Sequence, residues 1–120
     1  MAWEVEYTDE FETWWEGLDQ GQQELLTAAV EQLEQRGPTL GRPYVDTIQG
    51  SNIHNLKELR ADDGTSYLRT LFVFDPRRTA ILLIGGDKTG RFDAFYTEGL
   101  PEAERLYDEH IAQLKKEGLI

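Results

Sequence analysis

Residues 67–84, YLRTLFVFDPRRTAILLI, carry the clearest signal for how the chain folds. Its first eight residues are rich in aromatic and β-branched side chains, which favour a strand over 67–74. The DPRR segment at 75–78 predicts a turn, because proline suits its second position, and its two arginines are expected to be solvated. The unbroken apolar run over 79–84 is typical of a central strand covered on both faces. The stretch therefore predicts an antiparallel hairpin inside a sheet.

Another strand candidate precedes this hairpin. Residues 53–60 are predicted to form it, and the Asp-Asp-Gly sequence at 62–64 predicts the turn that leads back into 67–74. The segment 37–52 contains two prolines and three glycines, which favour a loop. Short turns between the three strands indicate an antiparallel meander.

The N-terminal third predicts a strand followed by two helices. Trp3, Val5 and Tyr7 alternate with glutamates, which is the pattern of a half-buried strand. Apolar residues at helical spacing then recur over 11–18 and over 25–33. Because almost nothing separates these two segments, we expect an antiparallel helical hairpin.

The C-terminal third predicts more helix. Thr89 and Gly90 are expected to cap a short helical piece, which Gly99-Leu100-Pro101 should break. An amphipathic helix is then predicted up to the lysines at 115 and 116. The predicted order is β-α-α-β-β-β-(α)-α. The predicted fold is α+β, an antiparallel sheet with an N-terminal helical hairpin and a C-terminal helix, in one domain over residues 1–120.

Composition limits the classes of function. Apolar residues make up 39% of the 120, cysteine is absent and there are two histidines, so thiolate and multi-histidine metal sites are excluded. We expect no metal and no cofactor. No apolar run is long enough to span a membrane and the first residues do not resemble a signal peptide, so a cytoplasmic protein is expected.

Charge is unevenly distributed along the chain. The formal net charge is −11, but residues 42–91 carry eight basic against six acidic side chains. Lys57, Arg60, Arg69, Lys88 and Arg91 all lie on or near the three predicted strands. Neighbouring strands are about 5 Å apart, so these bases can converge on one patch that suits an RNA phosphate. Cleavage of RNA by its own 2′-hydroxyl would require only proton transfer and charge stabilisation. The alternative is that these side chains are solvated charges at strand edges.

The ordered pieces SNIHNLKELR (51–60), YLRTLFVFDPRRTAILLIGGDK (67–88) and FYTEGLPEAERLYDEHI (95–111) resemble the HigB branch of the RelE/ParE toxin superfamily. The resemblance covers essentially the whole chain and implies the microbial-ribonuclease-like toxin fold. It implies a ribosome-dependent endoribonuclease of a type II toxin–antitoxin system, with the ribosome, mRNA and a cognate helix-turn-helix antitoxin as partners. The strongly acidic charge departs from the basic character usual for ribosome-acting members.

The resemblance also points to individual residues. It implies Arg60 and Arg69 as phosphate and transition-state binders, and Lys57 and Lys88 as groups that orient RNA or assist proton transfer. Arg91 is a further candidate for RNA binding.

Three more side chains have open roles. Glu58 is either a general base or a partner that holds Arg60. His54 is either a general acid that contacts RNA or an ordinary polar residue at a loop–strand junction. Tyr96 either stacks on an RNA base or packs in the core. Strand parity adds a warning, because Lys57 and Arg60 are three residues apart and a regular strand would place them on opposite faces.

Two other functions remain possible at this point. The same superfamily includes ParE-type gyrase inhibitors, which lack ribonuclease chemistry. A degenerate, non-catalytic binding domain is the other alternative, and the acidity of the chain supports it.

Overall fold

The computed structural model describes residues 2–88 and 92–120, without the side chains of Phe92 and Asp93. In chain order the elements are β1 (Val5–Tyr7), α1 (Asp9–Glu16), α2 (Gln20–Arg36), β2 (Val45–Thr47), β3 (Lys57–Asp62), β4 (Tyr67–Phe74), β5 (Ala80–Asp87) and α3 (Phe92–Lys116). A short 3-10 turn, Gly37–Thr39, follows α2. The α+β fold and the N-terminal pair of helices are confirmed.

The sheet has the strand order β1-β5-β4-β3-β2 over the described residues. Strands β2 to β5 are antiparallel to their neighbours, as predicted. The prediction of an antiparallel sheet does not hold for β1, which pairs with β5 in parallel, with Val5 opposite Ala80. The chain runs through both helices and three other strands before β5 forms, and this long crossover returns β5 in the same direction as β1.

Helices cover both faces of the sheet. On one face Leu68 and Phe72 of β4 pack with Leu26 and Leu33 of α2. On the other face Leu71 and Val73 pack with Ala103 and Leu106 of α3. These are called the hairpin face and the α3 face below. Alternate residues of β4 thus serve two separate cores, which explains its nearly continuous apolar sequence.

The N-terminal helices begin and end at residues that the sequence indicates. The side-chain oxygen of Thr8 accepts from the backbone N–H of Phe11 at the start of α1. Asp19 and Gln22 form a reciprocal capping box at the start of α2. Gly37 ends α2 with φ of 56°, a conformation that glycine adopts without steric cost, and an added Cβ there would lie 2.3 Å from the Trp3 ring.

Two loop and strand boundaries differ from the prediction. The segment 37–52 is not all loop, because it contains β2, which extends the sheet beyond β3. The strand predicted over 53–60 begins at Lys57. Ile53 and Leu56 are buried before the strand starts, in a loop where Asn55 has φ of 62°. Their apolar character therefore reflects core packing, not strand pairing.

The predicted break at 99–101 is also wrong, because α3 continues through it as one helix. Gly99 packs close to β5, since an added Cβ would lie 2.8 Å from Cδ1 of Ile84. Its role is close packing against the sheet. The proposed cap at Thr89 and Gly90 lies outside the described residues. None of the helices that the structure describes is long and apolar enough to cross a lipid bilayer.

The β4–β5 turn is organised by the carboxylate of Asp75, which is buried. It accepts from the backbone N–H groups of Arg77 at 2.8 Å and Thr79 at 3.2 Å. Arg77 Nε lies 2.9 Å from the same carboxylate, and so does His110 Nε2 of α3. Arg77 is therefore paired, contrary to the expected solvation, whereas Arg78 is exposed. The turn is tied to α3 through Asp75 and His110.

Candidate active site

A buried carboxylate lies at the centre of the candidate site. Glu58 of β3 points to the α3 face and is fully buried. Arg60, two residues on and on the same face, donates from Nε to Glu58 Oε1 at 3.0 Å. Arg69 of β4 places its own Nε 3.5 Å from that oxygen. Two arginines from adjacent strands therefore compensate one buried negative charge.

Arg69 is held more tightly than Arg60. It is opposite Arg60 in the β3–β4 pairing, and only 7% of it is exposed. It forms a two-pronged ion pair with Asp62, and its Nη1 donates to the carbonyl of Leu68 at 2.9 Å. Such a forked contact fixes the plane of the guanidinium. Arg69 is thus a rigid positive charge behind Arg60, whose side chain is 32% exposed.

A β-bulge brings Lys88 to this face of the sheet. In the β4–β5 pairing Leu71 is opposite Ile84, whereas the next residue, Phe72, is opposite Leu82, so β5 contains one extra residue. Side chains alternate along a strand, so one inserted residue reverses the face of everything after it. Without the bulge, Lys88 would lie on the same face as Leu82, the hairpin face. With it, Lys88 lies on the α3 face.

Tyr96 of α3 links Lys88 to Glu58. Its hydroxyl donates to Glu58 Oε2 and accepts from Lys88 Nζ at 2.8 Å. Lys88 Nζ also lies 4.7 Å from the centre of the Tyr96 ring. Burial raises the pKa of Tyr96 well above its usual value, and the Glu58 carboxylate raises it further. The phenol therefore stays protonated and cannot serve as a base near neutral pH.

The surroundings of Lys88 favour its deprotonated form. Burial lowers the pKa of Lys88, and the positive charges of Arg69 and Arg60 lower it further, while Glu58 acts in the opposite direction. Lys88 is 9% exposed. A lysine with a lowered pKa supplies more neutral amine at physiological pH than an ordinary lysine, which is what proton abstraction requires. Arg60, Arg69, Lys88, Glu58 and Tyr96 are called the Glu58 cluster below.

The structure does not bring all the sequence candidates together. Lys57 is adjacent to Glu58 but lies on the hairpin face, as strand parity warned, because β3 and β4 pair without a bulge. His54 lines the same separate pocket as Lys57, between the loop before β3 and the β4–β5 turn. Lys57 therefore does not join Arg60, Arg69 and Lys88 in one patch, and His54 also lies apart from the Glu58 cluster. Arg91 lies outside the described residues. Tyr96 joins the cluster through its hydroxyl group.

Two carboxylates that support the cluster were not predicted. Asp62 was assigned to a turn, yet it ends β3 and pairs with Arg69. Asp46 lies in the segment assigned to a loop, and it pairs with Arg60 at 3.3 Å and with Arg42 at 2.9 Å. The alternation of Glu58, Arg60 and Asp62 was the available sequence signal, because period-2 spacing puts all three on one strand face. Within residues 2–88 and 92–120, no three histidine, aspartate or glutamate side chains are grouped as a metal site.

Comparison with known proteins places the chain in a family. The model of the family described as "Phage derived protein Gp49-like (DUF891)" matches residues 13–108. The protein named "Putative toxin HigB2" of Mycobacterium tuberculosis strain H37Rv is 43% identical over 116 residues, which is 96% of this chain. The chain spans 57% of the length of that relative. "Putative toxin HigB3" of the same organism is 46% identical over 101 residues, covering 84% of this chain and 87% of the relative.

A solved structure shares the fold. It is the crystal structure of the archaeal RelE–RelB complex from Pyrococcus horikoshii OT3, with a TM-score of 0.59 and 16% identity to this chain. The match covers 76% of this chain and 99% of the other. This similarity shows the fold alone, whereas the family match over residues 13–108 and the two relatives named as HigB toxins show that the chain belongs to the phage-derived Gp49-like family.

Proposed function

We propose that this protein is the toxin of a type II toxin–antitoxin pair and that it cleaves mRNA on the ribosome. Relatives named as HigB toxins and a fold shared with a RelE–RelB complex support the toxin assignment. A cognate helix-turn-helix antitoxin neutralises it, and both act in the cytoplasm, where translated mRNA is found. The main support for RNA cleavage is that Arg60, Arg69 and Lys88 converge around the buried carboxylate of Glu58.

In the proposed reaction the RNA supplies its own nucleophile. The 2′-hydroxyl oxygen attacks the adjacent phosphorus, a new O2′–P bond forms, and the bond from phosphorus to the 5′-oxygen of the next nucleotide breaks. Lys88, as a neutral amine, takes the 2′-hydroxyl proton, while the leaving 5′-oxygen takes a proton from solvent. The products are a 2′,3′-cyclic phosphate and a free 5′-hydroxyl, so the step needs no oxidant and no metal.

The arginines have different tasks in this proposal. Arg60 contacts the phosphate, because a third of its side chain is accessible (32%). Arg69 is fixed by Asp62 and lies behind Arg60. Its positive charge stabilises the negative charge that develops on the phosphate oxygens. Glu58 and Tyr96 are positioning residues that hold Arg60 and Lys88 in place.

The test is to induce the protein in cells and map mRNA 5′ ends by primer extension. The wild type is expected to arrest growth and to produce new ends within translated mRNAs. Lys88→Ala should reduce cleavage by roughly 10²–10⁴-fold, the usual contribution of a proton-transfer group, and Arg60→Ala should also reduce it. Lys115→Ala, at the exposed end of α3, is the matched control.

Different outcomes separate the alternatives. Unchanged toxicity in Lys88→Ala, Arg60→Ala and the double variant would show that the Glu58 cluster is not the active site. DNA damage with intact mRNA would instead identify a ParE-type gyrase inhibitor. Harmless expression of a folded protein would identify a non-catalytic binding domain.

A further inference from the structure

A second basic site lies at the start of β3, where Lys57 is on the opposite face of the sheet from its neighbour Glu58. A pocket of about 520 Å³ opens between the loop before β3 and the β4–β5 turn. His54, Lys57, Phe74, Arg78 and Tyr107 line it. We call it the turn pocket. Lys57 and Arg60 are three residues apart on β3, which is about 10 Å along the strand, and they point to opposite faces.

The basic groups of the turn pocket are not neutralised. Neither Lys57, His54 nor Arg78 forms an ion pair with any carboxylate in the described part of the chain. Asp75 also borders the pocket, but its carboxylate is buried and engaged by Arg77 and His110. By contrast, five other arginines each contact at least one carboxylate: Arg42, Arg60, Arg69, Arg77 and Arg105. In a chain of net charge −11, this pocket concentrates unpaired positive charge.

The backbone around the turn pocket is held in an unusual conformation. Among the described residues, the non-glycine positions with positive φ are Asn55 at 62° and Arg78 at 69°, and both line this pocket. The backbone N–H of Arg78 donates to the carbonyl of Asp75 at 2.7 Å. This contact fixes the direction in which Arg78 leaves the turn.

Aromatic side chains give the pocket a second property that suits RNA. Tyr107 is stacked on His110 and half-buried, and Phe74 packs edge-on against Phe72. The guanidinium of Arg78 lies 5.4 Å from the Trp3 ring, which holds it at the rim without using a carboxylate. Positive groups beside partly accessible aromatic side chains are a combination that suits the phosphates and bases of single-stranded RNA.

We propose that the turn pocket binds a phosphate of a single-stranded RNA, with Lys57 and Arg78 as the phosphate contacts and His54 beside them. The site is separate from the Glu58 cluster and takes no part in bond cleavage. It rests on the proposed function in one respect, that the natural ligand is RNA. The positive charge of the turn pocket explains how a strongly acidic protein can bind a polyanion at one place on its surface.

The test measures RNA affinity directly, apart from cleavage. A fluorescein-labelled 12-nucleotide single-stranded RNA is titrated with protein, and fluorescence anisotropy gives Kd at several salt concentrations. Lys57→Gln/Arg78→Gln should raise Kd at least tenfold and reduce the slope of log Kd against log salt by about 1.4, the value for two lost single-strand phosphate contacts. The matched control, Lys115→Gln/Lys116→Gln, removes the same charge from the exposed end of α3 and should change Kd less than twofold.

A charge-preserving variant separates a lost contact from a lost fold. Lys57→Arg/Arg78→Lys should retain wild-type affinity within about threefold, and thermal unfolding checks that each variant is folded. Equal losses of affinity in the pocket pair and the α3 pair would overturn the proposal, because general charge would then explain binding. Absence of RNA binding by the wild type would overturn it too. If RNA binding depends on the turn pocket but no mRNA is cleaved in cells, the proposed endonuclease activity is overturned. The turn pocket would then still be an RNA-binding site.

Discussion

The hydroxyl of Tyr96 donates a hydrogen bond to the fully buried carboxylate of Glu58 and so joins α3 to the middle of the sheet. The same hydroxyl accepts from Lys88. One phenol therefore sets the position of the buried carboxylate and of the lysine. This relationship leads to the first two predictions.

Tyr96→Phe should lower the free energy of unfolding by about 1.5–3 kcal/mol, because a buried hydrogen bond to a charged group is lost. Urea unfolding measures the change. Tyr44→Phe is the control, since Tyr44 is 40% exposed, and it should alter stability by less than about 0.5 kcal/mol. Equal effects of the two substitutions would show that the Tyr96 hydroxyl does not contribute through Glu58.

The pKa of Lys88 should lie below the usual value for a lysine side chain. Burial is the main cause, and the nearby arginines add to it, whereas Glu58 favours the ammonium form. Glu58→Gln should therefore lower the Lys88 pKa further. NMR titration of isotope-labelled lysine side chains, in the wild type and in Glu58→Gln, measures the Lys88 pKa. A Lys88 pKa that rises in Glu58→Gln would contradict the assigned electrostatics.

Asp75 should make the protein sensitive to acid. Burial by itself would raise the pKa of Asp75, but His110, Arg77 and the backbone N–H of Thr79 outweigh it, so the pKa lies below its usual value. A lowered pKa in the folded state stabilises the protein above the unfolded pKa of about 3.9, and that stability is lost as pH falls through the folded pKa.

Asp75→Asn should consequently cost about 1.5–3 kcal/mol at neutral pH, where charged hydrogen bonds are lost, and should flatten the loss of stability below about pH 4. Chemical unfolding at a series of pH values measures both effects. Asp108→Asn, at an exposed position of α3, is the control and should follow the wild-type pH profile. An unchanged profile in Asp75→Asn would exclude this carboxylate as the acid-sensitive group.

Gly85 should not tolerate a side chain. An added Cβ would lie 2.2 Å from the Trp14 ring, whereas at Gly41 nothing lies within 4 Å. Gly85→Ala should therefore lower stability by about 1–3 kcal/mol through overpacking, and Gly41→Ala should be close to neutral. In a Trp14→Ala background the cost of Gly85→Ala should shrink, because the clashing ring is gone. Additive costs in the double variant would place the strain elsewhere.

Much of the fold follows from local sequence patterns. The strand Tyr67–Phe74 has the predicted bounds because its side chains favour β-structure and turn residues flank it. Both N-terminal helices begin at side chains that cap them locally. The missed features depend on distant partners. β2 exists because β3 offers an edge to pair with, and α3 continues through Gly99, where the helix packs close to Ile84 of β5.

The candidate site was predictable only in part. Arg60, Arg69 and Lys88 are brought together as expected, but the means by which Lys88 arrives is the bulge in β5. The position of this bulge cannot be predicted from composition or spacing, because every residue of the apolar run in β5 is equally suited to a strand. Strand parity correctly separated Lys57 from Arg60, because β3 pairs regularly, whereas the same rule applied along β5 would place Lys88 on the hairpin face.

The parallel pairing of β1 with β5 has a consequence for how the chain is made. The side chain of Thr8, just after β1, donates to the carbonyl of Leu83, 75 residues later. At roughly 5–20 residues per second, a ribosome needs about 4–15 s to synthesise the partner of a strand that emerged near the start. Until then β1 has no neighbour and the sheet lacks its first edge. The newly made protein therefore completes its sheet only after β5 has been synthesised, late in translation.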